Sequence, residues 1–437
     1  MSLPRAGSQF RGKIEGGRAA AAARTPAMGW TVRPSTDADL PALVRAVQAA
    51  FSLRATDVQV EESRAFLELD RTLLAVDGDR IVGTAGALSL ELTVPGPVGV
   101  PAAGLTFVGV VPTHRRQGIL TALMAQQLDD ARARGEPLVV LLASEATIYG
   151  RFGFGVAVST SGIEVERAHA AFRRPVDLAG RVQLVEPADM AATLPGIFDR
   201  YRRRQPGEVS RPPGWWARRL ADREEQRRGA GARFAAVWEG PGRAGPDGYA
   251  TYRVRPRWDD GLPGHVLEVE DLVALTPEAR AGLWQFCFGV DLVRLVRAEN
   301  VPQDEPLPWM LRDGRRVRVT SSKDFLWVRV LDVEAALGAR AYGSDDSVVV
   351  EVAGPPGQSS GRFRLRGGGP GEATCGRTDR AADLAVDLVH LGAAYLGGVR
   401  FATLARAGVV DELAPGALAR ADALFACDPS PYCCTPF

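Results

Sequence analysis

Apolar and polar positions change period several times along the chain, and each change marks an element. "WTVRPSTDADLPALVRAVQAAF" (30–51) gives a short strand and then a helix, which Ser35 or Thr36 can cap, with Asp37 and Asp39 in its first turn. "LLAVDGDRIVGTAGAL" (73–88) alternates about Asp77-Gly78, a hairpin pattern. A Pro/Gly-rich stretch (95–104) reads as a loop, followed by a strand at 105–111 and a helix at 118–134. That helix gathers Leu120, Leu123, Met124, Leu128 and Ala131 on one face, and Gly135 and Pro137 end it. "PLVVLLAS" (137–144) is a continuous apolar run, as in a parallel strand buried on both faces. "ATIYGRFGFGVAV" (146–158) follows as helical turn, loop and strand, which completes an α/β unit over 30–172.

A second unit, 173–311, repeats this order weakly. Helical stretches at 187–204 and 213–228 precede strands at 233–238, 248–254 and 266–275, a helix at 277–289 and a strand at 292–297. The third unit, 312–437, changes character. "DFLWVRVL" (324–331), "SVVVEVA" (347–353) and "RFRLRG" (362–367) alternate like antiparallel strands, and helical stretches at 388–396, 401–407 and 416–426 close the chain. The fold class expected is α/β (α+β).

Composition narrows the function classes. The chain has 437 residues, 46% apolar and 24% charged, with a formal net charge of +1. That balance gives no reason to expect nucleic acid or a membrane surface as partner. Lys13 and Lys323 are the only lysines, and the arginines scatter instead of forming a stripe, which reads as codon bias. The five cysteines show no C-x-x-C spacing, so neither a disulfide framework nor a metal site is expected, and the compartment reads as cytoplasmic. Residues 1–29 lack the apolar centre of a secretory signal; they read as a disordered leader or extension, with Met28 a candidate start.

The chemistry concentrates at "FVGVVPTHRRQGILTALM" (107–124). A strand that stops, a turn with bare N–H groups and the first turn of a helix make an anion site. Gly118 permits close backbone approach, and Arg115 and Arg116 bring donor forks suited to phosphate. Taken alone, the same residues describe a solvated basic turn. In context, the stretch resembles motif A of the GCN5-related N-acetyltransferases (GNAT), whose Arg/Gln-x-x-Gly-x-Gly/Ala loop cradles the acetyl-CoA pyrophosphate. Here it reads Arg115-x-x-Gly118-x-Leu120, with Leu120 in place of the usual small residue. "IYGRFGFG" (148–155) resembles the family's Tyr-x-x-x-Gly-Phe element. "VPTHRRQGIL", "ASEATIYGRFGFG", "DGYATYRVR" (247–255), "PQDEPLP" (302–308), "DFLWVRVLDVEAALGARAY" (324–342), "YLGG" (395–398) and the aromatic terminus together resemble the Eis (enhanced intracellular survival) branch, over about 30–437.

The resemblance implies a catalytic GNAT domain, a degenerate GNAT-like domain without an acetyl-CoA site, and a sterol-carrier-like domain, over the three units given above. "VALTPEARAGLWQF" (273–286), the second unit's strand-to-helix junction, lacks Arg-Arg-x-Gly, in agreement. Acetyl-CoA is then the co-substrate, with no metal, and the chain is a homo-hexamer. Backbone N–H groups of Val108 and Val110, the turn Arg115, Arg116, Gln117, Gly118 and Ile119, and Ser144 would hold the cofactor. Tyr149 would protonate the leaving thiolate, and the terminal carboxylate of Phe437 would act as general base. Phe51, Phe107 and Asp57 fall where the acceptor pocket lies, and the two phenylalanines suit plain core equally well. The acceptors implied are cationic multi-amines such as aminoglycosides. Protein lysines or polyamines form a second option, and a non-catalytic acetyl-CoA or lipid binder a third. "GQSSG" (357–361) precedes a strand, not the helix a nucleophile elbow needs, and carries no weight. His114 reads as a solvated loop residue.

Overall fold

A computed structural model describes residues 29–175, 180–242, 245–354 and 360–437. The leader, Met28 and most of "GQSSG" lie outside the described residues. In the first unit, β1 (Thr31–Pro34) leads to α1 (Leu40–Ala50) and α2 (Asp57–Phe66), and then to a meander of β2 (Thr72–Asp77), β3 (Arg80–Val94) and β4 (Val98–Val110). Thr36 and Asp39 form a capping box ahead of α1, and Thr56 accepts from Gln59 N–H at the start of α2. α3 (Ile119–Ala133), β5 (Leu138–Leu142), the turn α4 (Ala146–Tyr149) and β6 (Gly155–Glu166) follow. The stretch read as a loop at 95–104 is mostly strand: only Pro95–Pro97 turn between β3 and β4. Small residues there admit close packing, since a Cβ on Gly104 would sit 2.3 Å from a Leu90 methyl.

The second unit carries β7 (Arg181–Val185), α5 (Met190–Arg202), α6 (Pro213–Leu220), β8 (Phe234–Glu239), β9 (Gly248–Arg255), a ribbon of β10 (Trp258–Asp259) with β11 (Leu262–Pro263), β12 (His265–Ala274), α7 (Pro277–Gly289) and β13 (Val293–Pro302). After α8 (Leu307–Met310) comes β14 (Arg318–Val330). Among the described residues, twelve strands form one sheet in the order β1-β2-β3-β4-β5-β14-β6-β13-β12-β9-β8-β7. β14 therefore runs between the two acetyltransferase-like halves, antiparallel to β5 (Leu326↔Leu142) and to β6 (Arg318↔Glu164). Its alternation marked it as a strand of the third unit; its hydrogen bonds put it in the central sheet. The C-terminal unit is a separate sheet, built from β15 (Ser347–Ala353), β16 (Gly361–Arg366), β17 (Thr374–Arg377), β18 (Leu384–Asp387) and β19 (Val410–Glu412) in the order β17-β16-β15-β18-β19. α9 (Val333–Ala339) precedes these strands, α10 (Leu388–Ala394) and α11 (Phe401–Arg406) lie between β18 and β19, α12 (Ala417–Phe425) follows, and α10 packs on β6 and β14. One apolar core runs continuously from α1 and β3 through α5 and α6 to this unit.

Candidate active site

The site begins with an irregularity in β4. Against β3 the register jumps from Gly86↔Thr106 to Thr84↔Gly109, so Phe107 and Val108 face Ala85 as a bulge. Phe107 has φ +52°, and Thr84 Oγ1 donates to its carbonyl at 2.7 Å, which fixes the kink. On the other edge, β4 pairs in parallel with β5 only from Ala102↔Leu138 to Leu105↔Leu141. Beyond Leu105 the two strands part, and Val108 and Val110 line the opening.

The turn after β4 floors that opening. Arg116 (φ +62°) and Gly118 (φ +83°) both adopt left-handed backbone, and Gly118 caps α3 without any side-chain acceptor. A Cβ at Gly118 would touch nothing within 4 Å, so conformation and not crowding suits glycine here. The first N–H groups of α3 are thus left for an outside acceptor. Arg115 donates to Ala50 O at 3.0 Å, whereas Arg116 has no hydrogen-bond or ion-pair partner among the described residues. His114 is half-buried, and its contacts are at the surface: Nε2 lies 3.2 Å from Asp77 Oδ2 and Nδ1 2.8 Å from Thr113 Oγ1. Arg151, from the tyrosine loop, faces the same cavity of about 600 Å³.

A second cavity, of about 450 Å³, meets the first at Phe51, Val108, Ser144 and Tyr149. Phe107, Glu62, Arg218 and Phe437 also line it. Tyr149 ends the short turn α4 with its ring edge-on to Phe154 at 6.1 Å, and it is buried. Burial, and secondarily the charge of Glu145, raises its pKa above the ordinary tyrosine value, so the hydroxyl keeps its proton. Two expected residues lie outside both cavities. Gln117 is exposed on the turn, and Asp57 is exposed at the start of α2; Glu62, on another face of that helix, lines the pocket instead. Ile119 contacts the cavity, but its side chain is core.

Known proteins match this arrangement along its length. Two acetyltransferase (GNAT) domain families match, one over 31–157 and another over 207–330, and the sterol carrier protein domain family matches 333–434. An N-acetyltransferase of uncharacterized role from Streptomyces avermitilis is 43% identical over 84% of this chain and 89% of its own. N-acetyltransferase Eis of Mycobacterium bovis is 36% identical over 91% of this chain and 97% of its own. The chain belongs to the Eis family of N-acetyltransferases. The crystal structure of Eis1 from Mycobacterium abscessus superposes with a TM-score of 0.81, at 35% identity, covering 93% of this chain and all of that one. Two tandem GNAT domains followed by a sterol-carrier-like domain, and acetyl-CoA as co-substrate, come with that membership. Among the described residues, no helix is long and apolar enough to cross a membrane.

In this Eis-family chain the second GNAT unit holds the C-terminal tail. Glu208, fully buried, accepts from Cys434 N–H at 2.8 Å and Thr435 Oγ1 at 2.6 Å. Arg211 donates to Thr435 Oγ1 (2.9 Å) and Asp271 (2.9 Å) and stacks on Phe198 at 3.8 Å. Trp215 Nε1 donates to Pro436 O at 2.6 Å. These anchors leave Phe437 in the second cavity of the first unit. At the second unit's own strand-to-helix junction, Thr276 caps α7 by accepting from Ala279 N–H, and Pro277 fills the first helical position.

Sequence reasoning overlooked Glu62, Arg151 and Arg218. Arg151 stands inside "IYGRFGFG", so its loop was in view. Arg218 reaches the pocket from the other GNAT unit, and one Arg-Arg pair in so arginine-rich a chain carries no signal.

Proposed function

We propose that this Eis-family enzyme moves an acetyl group from acetyl-CoA to a primary amine by direct attack in a ternary complex, at one site per chain in the first GNAT unit. The observation that supports it is the meeting of two cavities at Tyr149, one floored by the arginine turn and the other lined by the chain's terminal residue. Acetyl-CoA supplies the activated thioester. Arg116, the open N–H groups at Gly118 and Ile119, Arg115 and Arg151 are suited to its phosphates. Val108 and Val110, on the free edge of β4, offer backbone donors toward the carbonyl oxygen, where negative charge develops. Ser144 and Phe51, common to both cavities, border the passage between them.

Only about one molecule in 10³ of an alkylamine is neutral at pH 7. The Phe437 α-carboxylate is the group suited to take the ammonium proton, and the buried Tyr149 hydroxyl the one suited to protonate the departing sulfur. Cationic multi-amine acceptors are those the resemblance implies, with protein lysines or polyamines second; among the charged residues lining the pocket, Glu62 is tied to Arg223 at 2.6 Å and Arg218 adds a positive charge. A hexameric assembly, also implied by the family, is part of the proposal and is checked by light scattering.

The test is thiol release from acetyl-CoA across a panel of amines, with Tyr149→Phe as the variant. We expect kcat to fall ~10²–10⁴-fold, the usual range for a general acid, with cofactor affinity retained. Full turnover in the variant refutes the role of Tyr149, and absence of thiol release with every amine refutes the transferase reading in favour of a non-catalytic binder.

A further inference from the structure

The second cavity contains a charge that has no ion-pair partner among the described residues, Arg218. Its helix, α6, presses on the end of α2 so closely that a Cβ on Gly214 would lie 1.8 Å from Ala65 O. That contact carries the Arg218 guanidinium over the Phe66 ring, 5.1 Å from its centre, and Phe66 in turn packs on Phe107 at 6.2 Å. No carboxylate among the described residues lies within ion-pair distance of it. The nearest candidate, Glu62, is occupied by Arg223 Nε at 2.6 Å and Gln226 Nε2 at 3.3 Å. Behind Arg218 the recess continues past Arg219 and Arg233, whose shared carboxylate, Glu270, also serves Arg253 at 3.0 Å. Phe437 lines both this cavity and that recess. Phe51 and Phe107 add aromatic wall to the cavity.

Resting on the acetyl-transfer reading, we propose that the acceptor is a small zwitterion, a primary amine joined through an apolar or aromatic spacer to a carboxylate, and that Arg218 is the residue that selects it. The ammonium lies toward Tyr149 and Phe437, and the acceptor's carboxylate meets the Arg218 fork. A polycation of the same length would set its second ammonium against Arg218 and the arginines behind it. A neutral tail would leave the guanidinium unpaired. A cavity of about 450 Å³ limits the spacer to roughly one ring or a short chain.

Three probes of one shape test this: para-aminomethylbenzoate, para-aminomethylbenzamide and para-xylylenediamine. Binding is read by calorimetry with the full chain saturated in CoA, and turnover by thiol release with acetyl-CoA. We expect the benzoate to bind about tenfold to a hundredfold more tightly than the benzamide, the range for a hydrogen bond to a charged group, and the diamine to bind worst. Arg218→Gln should erase the benzoate-over-benzamide ratio, and Arg218→Lys should keep part of it. A wild-type enzyme that binds benzamide or diamine as well as benzoate overturns the proposal, as does a ratio that survives Arg218→Gln. The two readings fail separately. A benzoate preference in binding without turnover of any probe sinks acetyl transfer but not the ligand class. Turnover without preference sinks the ligand class alone.

Discussion

Glu208→Ala tests whether the second unit works by holding the chain terminus. The side chain is fully buried and accepts from Cys434 N–H, Thr435 Oγ1 and two thiols, at 2.8, 2.6, 3.1 and 3.4 Å. Truncation strands a backbone N–H and a hydroxyl away from water, each costing ~1–3 kcal/mol. The sum, ~2–6 kcal/mol, shifts a docking equilibrium by roughly 30-fold to 10⁴-fold at ~1.4 kcal/mol per factor of ten. A free chain end relieves that cost by leaving, which spares the rest of the fold. We therefore expect kcat to drop with the docked fraction while acetyl-CoA affinity and far-ultraviolet circular dichroism hold. Carboxypeptidase supplies an independent readout: Phe437 should be trimmed in Glu208→Ala and protected in the wild type. A variant with a protected terminus and undiminished kcat would refute the argument.

Residues appended after Phe437 keep the ring but turn its carboxylate into an amide; thiol release should fall at least ~10²-fold, the low end of general-base effects, in a protein of unchanged oligomeric state. Arg116→Ala should weaken acetyl-CoA binding by ~1.5–3 kcal/mol without altering backbone strain, since alanine meets the same φ of +62°; calorimetry checks this and should count one cofactor per chain. Glu270 is the pH probe: burial pushes its pKa up, but Arg233, Arg219 and Arg253 more than offset it, and the net value is about 2. Depression below the ordinary value of about 4.5 gives stability that is present above pH 4.5 and lost as pH falls through about 2, on the order of 3 kcal/mol. Thermal melts of Glu270→Gln should show a shallower loss across that window than the wild type.

How far the sequence could be read follows from where each signal lives. The strand–turn–helix junction is local: the apolar run, the arginine pair, Gly118 and the heptad-like face of α3 lie within a few turns of each other, and all are visible in one dimension. The loop misreading at 95–104 came from composition. Glycine, alanine and proline there serve a strand pressed against Leu90 and the Phe437 ring, which lies 3.3 Å from a Cβ on Gly104. Alternation identified 324–331 as a strand, but period two states only that a strand has two faces. Which neighbours it pairs with depends on β5 and β6, far back in the chain, as in Leu326↔Leu142 and Arg318↔Glu164. Asp57 and Glu62 show the same limit on a helix: both are acids on α2, and only the packing of α6 decides which of them meets the cavity.

The two GNAT units repeat one geometry and use it differently. β12 and β13 pair in parallel from His265↔Val293 to Val269↔Ala298 and then part, as β4 and β5 do after Leu105. In the first unit the parted edges face the cavity floored by the arginine turn. In the second, the residues just past the parting hold the tail: Asn300 Nδ2 donates to Cys433 O at 3.3 Å, Asn300 O accepts from Tyr432 Oη at 2.8 Å, and Asp271 binds Arg211, which binds Thr435. With Pro277 at the start of α7 and Thr276 already capping it, that junction has little to offer a pyrophosphate. The opening past the parted strands is occupied by residues 432–435. Because β14 and β6 bond the two halves into one sheet, a tail fixed in one half is fixed relative to the other. The base role proposed for Phe437 needs a fixed position, and a rigid sheet with a socket on one side and a cavity on the other is a way to keep that residue still.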